Sequence, residues 1–188
     1  ASGGSVSRSP DKASYGYGEV VTLQAAADTG YTFSNWSGDA SGTSSSVQIT
    51  MNADKSVTAN FTANSYTLAV AATGGSVVAD PQKASYSYGE TVSLQAVPGT
   101  GYHFTGWSGD LSGTGNPSTL VMNGDKSVTA DFAVNTYALN VSAVNGSITK
   151  SPDQATYNYG QTVSLQAVAA AGYEFAGWSG AISGTSNP

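Results

Sequence analysis

The sequence has no cysteine, one histidine (His103), and only six Lys or Arg among its 188 residues. Without cysteine there are no disulfides, no thiolate metal sites and no cysteine nucleophiles. The six cations are scattered singly, and phosphate backbones and anionic headgroups both require clustered positive charge. No nucleic-acid partner is therefore expected. Long apolar runs are also missing: nothing approaches the ~18–20 residues of a membrane-spanning helix, so membrane insertion is not expected. Charged residues are 10% of the chain and the net charge is -6. Gly, Ser, Thr, Asn and Ala fill the remainder, which predicts a surface of hydroxyls and amides.

What is present is repetition. Trp36, Trp107 and Trp178 stand 71 residues apart, as do Pro10, Pro81 and Pro152, and Gly18, Gly89 and Gly160. Between Gly4–Val70 and Gly75–Val141, 39 of 67 aligned positions are identical and no gap is needed. Polar links follow Phe61 and Phe132, so each unit is taken to open at Tyr66 or Tyr137. This divides the chain into module 1 (residues 1–64, lacking its opening strand), module 2 (65–135, complete) and module 3 (136–188, stopping before its last hairpin). The chain reads as a piece of a longer protein, and its truncated ends are expected to be the least ordered parts.

Within a unit the apolar residues alternate. Val21, Leu23 and Ala25 are separated by Thr22 and Gln24, and Val92, Leu94, Ala96 and Val163, Leu165, Ala167 repeat the pattern. Positions i, i+2 and i+4 share one face of a strand, so these segments predict sheets that are wet on one side. Met51–Lys55 and Met122–Lys126 carry turn residues between alternating runs and read as hairpins. Helical spacing is absent, apart from one short turn expected near Asp11–Ser14. The fold class is all-β: tandem small antiparallel modules of about five or six strands, each a sandwich or a grasp-like sheet.

The pattern Gly-Tyr-x-Phe-x-Gly-Trp occurs at Gly101–Trp107 and Gly172–Trp178, and with Asn35 in place of the second Gly at Gly30–Trp36. With Gly-Gly-Ser-Val and Tyr-x-Tyr-Gly upstream, and Asp-Lys-Ser-Val-Thr-Ala-x-Phe downstream, it resembles the divergent internalin B-repeat family of bacterial surface proteins. The resemblance implies extracellular or cell-surface arrays, often beside adhesive or polysaccharide-degrading domains, and a β-grasp-like fold. It supplies no catalytic residues.

His103 is matched by Thr32 and Glu174 in the other copies, so no chemistry shared by the modules can use it. No catalytic residue, cofactor or metal is expected. Asp39, Asp110, Asp54 and Asp125 sit in loops and turns that offer a hard cation such as calcium carboxylates and carbonyls, but the third copy has Ala181 in place of Asp39 and Asp110, and capping of backbone amides in tight turns is the favoured reading. Trp36, Trp107, Trp178, Phe33, Phe104 and Phe175 are read as core. The pairs Tyr15/Tyr17, Tyr86/Tyr88 and Tyr157/Tyr159 precede a glycine at i, i+2 spacing and are expected to share a face. Their rings are the candidate platform for a sugar. The sequence thus points to a non-catalytic stalk, spacer or adhesive array, with a carbohydrate-binding module as the alternative. Partners are then a polysaccharide, another surface protein, or a second chain paired through an open strand edge.

Overall fold

The computed structural model describes residues 2–188; Ala1, the first position of module 1, lies outside the described residues. Among them there is no helix. The first repeat holds β1 (Gly4–Ser9), β2 (Glu19–Ala27), β3 (Tyr31–Gly38), β4 (Ser46–Met51) and β5 (Val57–Ala63). The second holds β6 (Ser65–Tyr66), β7 (Leu68–Ala72), β8 (Gly75–Asp80), β9 (Tyr86–Ser87), β10 (Glu90–Pro98), β11 (Tyr102–Gly109), β12 (Ser118–Met122) and β13 (Lys126–Val134). The third holds β14 (Thr136–Tyr137), β15 (Gly146–Ser151), β16 (Tyr157–Asn158) and β17 (Ser164–Ala169).

The second repeat is a sandwich of two sheets. One has the order β8-β10-β12, the other β7-β13-β11. Val92, Leu94 and Ala96 on β10, and Val128 and Ala130 on β13, turn their alternate side chains into the space between. Leu120 and Met122 on β12 and Trp107 on β11 complete this core. The first repeat repeats the plan with β1-β2-β4 against β3-β5, and has a separate core around Val21, Leu23, Ala25, Trp36 and Ala59. In the third repeat β15 pairs with β17 and β14 with β16.

Three local expectations are corrected. Met51–Lys55 and Met122–Lys126 are not hairpins: β4 pairs with β2 and β12 with β10, while β5 pairs with β3 and β13 with β11. The connection crosses from one sheet to the other, because two strands side by side in one layer would leave their apolar faces uncovered. The short helical turn near Asp11–Ser14 does not form. The Tyr15 hydroxyl donates to the Pro10 carbonyl at 2.9 Å and accepts from the Lys12 amide, so it takes up groups such a turn would use. Finally, the modules are not wholly antiparallel, since β7 runs parallel to β13, with Val70 beside Val128.

Each tryptophan organises its repeat. The Trp36, Trp107 and Trp178 amides donate to Gly42, Gly113 and Gly184, and the indole Nε1 atoms donate to the carbonyls of Ser44, Gly115 and Ser186 at 2.7–2.8 Å. The loop after β3, after β11 and after Trp178 is thereby wrapped around the ring. Trp36 and Trp107 are buried, and Trp178 is half-buried. Phe33, Phe104 and Phe175 are half-buried against the indoles, with ring centroids 5.0–5.2 Å apart. Replacing Trp107 by Ala is expected to cost about 3–5 kcal/mol, from lost burial and the cavity left behind. Chemical denaturation followed by NMR would show second-repeat amides unfolding at lower denaturant, while first-repeat amides, served by their own core, hold.

Candidate interaction surface at the joints between repeats

The links between repeats are single residues. Asn64 stands between β5 and β6, and Asn135 between β13 and β14. Each link is fixed on both sides. The Asn64 amide donates to the Gly30 carbonyl at 2.8 Å, and its own carbonyl accepts from the Tyr88 amide at 2.8 Å. At the second joint Asn135 bonds Gly101 and Tyr159 in the same way, again at 2.8 Å. One backbone unit is thus bonded to both repeats it connects.

The side chains close the joint. Tyr88 and Tyr159 lie in the turns that lead to Gly89 and Gly160, and their rings lie against Gly30 and Gly101. A Cβ on either glycine would overlap the ring of the tyrosine above it. Gly30 and Gly101 have φ of 81° and 79°, which disfavours any side chain there independently of space. Tyr88 also meets Tyr31 edge-on at 6.4 Å and lies 6.5 Å from Tyr66, so one ring touches both repeats. The Asn64 side chain accepts from the Thr32 hydroxyl at 2.7 Å. At the second joint His103 Nδ1 takes the same place, 2.7 Å from Asn135 Oδ1.

The tyrosine pairs do not share a face. Tyr86 and Tyr157 are buried, and Tyr15 is half-buried. Their hydroxyls donate to Pro81, Pro152 and Pro10 at 2.9–3.0 Å. The second member of each pair begins a turn, so the chain bends before period two can bring the rings together. Tyr88 is half-buried in the first joint and Tyr159 is 52% exposed in the second. Tyr17, at the same place in the first repeat, is 91% exposed. Gly30 and Gly101 open the repeated motif and Asn64 and Asn135 end the polar links in the sequence, but their bonding across the joint was not read from it. Their recurrence at the repeat spacing was the available signal.

The turn carboxylates bond to backbone amides. Asp39 and Asp110 accept from the amides of Ser56 and Ser127 at 2.7 and 2.8 Å, and each lies beside a lysine, Lys55 or Lys126. The Ser127 amide, with the Lys126 charge, holds the Asp110 carboxyl below its ordinary value. Asp125 accepts from the Thr67 amide and hydroxyl, and these bonds lower its value too. Among the described residues no three His, Asp or Glu side chains are grouped as they would be to hold a metal ion.

A family model described as a divergent InlB B-repeat domain matches residues 1–65, 66–136 and 137–188, covering the chain end to end. No curated protein and no solved structure matches it.

Three outcomes are expected. Gly101→Ala will loosen the second joint, read as faster independent tumbling of the flanking repeats in 15N relaxation. Gly172→Ala will not change tumbling, because Gly172 has a similar φ of 82° but nothing lies over it. Asp110→Asn will reduce acid sensitivity. A carboxyl whose pKa is depressed on folding contributes stability above the unfolded value near ~3.9, lost as pH falls through the lower folded value. The wild-type midpoint in a pH-melting series should therefore drop more steeply below that point than that of the variant.

Proposed function

The chain belongs to the divergent InlB B-repeat family, and from that premise we propose that it is a non-catalytic repeat array, a stalk or spacer, of a bacterial surface or secreted protein. In this role it holds other domains at a set distance and orientation outside the cell. The observation that carries the reading is the joint. A flexible tether needs no contact between its units. Here the connection is one residue, bonded to both neighbours, with a tyrosine of one repeat seated on a glycine of the other. Separate cores with short bonded connections are the features of a quasi-one-dimensional array. The ionisable side chains support a structural role too, since the carboxylates of Asp39, Asp110 and Asp125 accept from backbone amides and His103 bonds the link.

A second reading, a carbohydrate-binding module beside a polysaccharide-active enzyme, is favoured by one ring. Tyr17 is open on the surface in the manner of a sugar-stacking platform. It ranks second because the equivalent rings of Tyr88 and Tyr159 lie on the neighbouring repeat.

Small-angle scattering tests the stalk. The radius of gyration is expected well above the ~16 Å of a compact globule of this length, and should change when Tyr88→Ala opens the first joint. A value near the compact limit would count against a stalk. Pull-down on insoluble polysaccharides tests the second reading: retention that disappears with Tyr17→Ala would promote it.

A further inference from the structure

Asparagine is followed by glycine at Asn123-Gly124 and at Asn145-Gly146, and the first repeat has Asn52-Ala53 where the second has Asn123-Gly124. The pairing matters chemically. An asparagine side-chain carbonyl can be attacked by the backbone nitrogen of the next residue, and a glycine there has no Cβ to obstruct the approach. In a folded chain the attack has two further requirements. The amide must be free of hydrogen bonds, and the backbone must have room to close into a ring.

Asn123-Gly124 meets both. Asn123 is exposed, and among the described residues neither its side chain nor the Gly124 amide makes a hydrogen bond. A Cβ on Gly124 would meet nothing, and its φ is outside the left-handed region, so the turn is open. The other two asparagines each lack something. Asn52 lies in the corresponding exposed turn but is followed by Ala53. Asn145 is followed by Gly146, yet it is held at φ 56°, its carbonyl accepts from the Ala170 amide at 2.9 Å, and Gly146 already belongs to β15. In the second repeat the Gly74 carbonyl accepts from the Gly99 amide at 2.9 Å, so this restraint is part of the repeat.

Asn123, Gly124 and Asp125 are the whole connection between β12 and β13, and both of its ends are clamped. At one end Met122 is 0% exposed in the core, and its carbonyl accepts from the Gly89 amide at 2.8 Å. At the other, the Thr67 amide and hydroxyl both donate to Asp125 at 2.7 and 2.9 Å, and the Lys126 amide donates to the Thr67 carbonyl at 2.9 Å. These bonds fix the entry of β7, which runs parallel to β13 with Val70 beside Val128. A change in the length of so short a connection is passed to Asp125.

We propose that Asn123-Gly124 is a self-modifying site whose product loosens the anchor of β7. The Gly124 nitrogen gives up its proton and forms a bond to Asn123 Cγ. The Cγ–Nδ2 bond breaks, and Nδ2 takes up a proton and leaves as ammonia. One water molecule then opens the resulting succinimide. Addition at Cγ gives an aspartyl residue with the chain restored. Addition at the main-chain carbonyl gives an isoaspartyl residue, in which the chain runs through Cβ and Cγ and is one carbon longer. The balance is one water consumed and one ammonia released, with no oxidant or reductant. Both products add a negative charge two residues from Asp125. The isoaspartyl product also lengthens a connection held at both ends, and this moves Asp125 off Thr67.

Ageing the whole chain in warm, mildly alkaline buffer and mapping its peptides by mass spectrometry tests the site. Asn123 is expected to gain about one mass unit, with electron-transfer fragmentation telling isoaspartate from aspartate. Gly124→Ala, whose Cβ meets nothing, should slow the reaction by about tenfold or more, and Asn52 and Asn145 in the wild-type sample should lag by a similar factor. In the isoaspartyl fraction the Thr67 amide should exchange its hydrogen about tenfold faster than in fresh protein. Fresh Asn123→Asp, which adds the charge without lengthening the chain, should keep most of that protection. An Asn123 that stays unmodified, or reacts no faster than Asn52, would overturn the site. Asn145 reacting as fast as Asn123 would overturn the selection by the fold. Intact Thr67 protection in the isoaspartyl fraction would overturn the link to β7, and equal loss in Asn123→Asp would overturn chain lengthening as its cause.

Discussion

Everything in a repeat depends on one indole held between two sheets. About seventy residues bury too little surface for a sandwich of ordinary aliphatic side chains to be comfortably stable. A tryptophan with a phenylalanine against it supplies a large apolar area at one place. The indole N–H would be costly if buried without a partner, and the following loop provides its carbonyl. The same bond therefore satisfies the ring and shapes the loop. This explains why Gly-Tyr-x-Phe-x-Gly-Trp and the Ser-Gly loop travel together through the repeats: ring, strand and loop are one unit.

Given such units, the remaining question is how they are set relative to one another. Tyr88 and Asn64 answer it at the first joint, Tyr159 and Asn135 at the second. The bonds involve backbone groups, which leaves the surrounding side chains free to vary. Thr32 and His103 illustrate this, since both bond the side chain of the linking asparagine despite their different chemistry. The single histidine thus has a structural place that a search for catalytic groups would not have assigned it.

Much of the fold was legible because strand periodicity is a local property. Val92, Leu94 and Ala96 alternate in sequence and are buried in the structure. The exact repeat spacing made the modular plan visible, and the motif around Trp107 made the family visible. What was not legible is non-local. Nothing in Met51–Lys55 states whether β5 joins the sheet it has just left or the opposite one; that is decided by which apolar face needs covering. Nor does the spacing of Tyr86 and Tyr88 reveal that a turn begins between the buried ring and the joint ring. The parallel pairing of β7 with β13 brings together residues from the two ends of a repeat, and no local pattern encodes it.

That last pairing has a mechanical consequence. The second repeat is entered just ahead of β7 and left at the end of β13, and these two strands are parallel neighbours. Tension applied to the chain on either side pulls them in opposite directions along their common axis. The cross-strand bonds are then loaded together in shear; they are not peeled one after another. Resistance to forced unfolding is set by the barrier to the first rupture, not by equilibrium stability, so a small module of modest core can still act as a strong link under load.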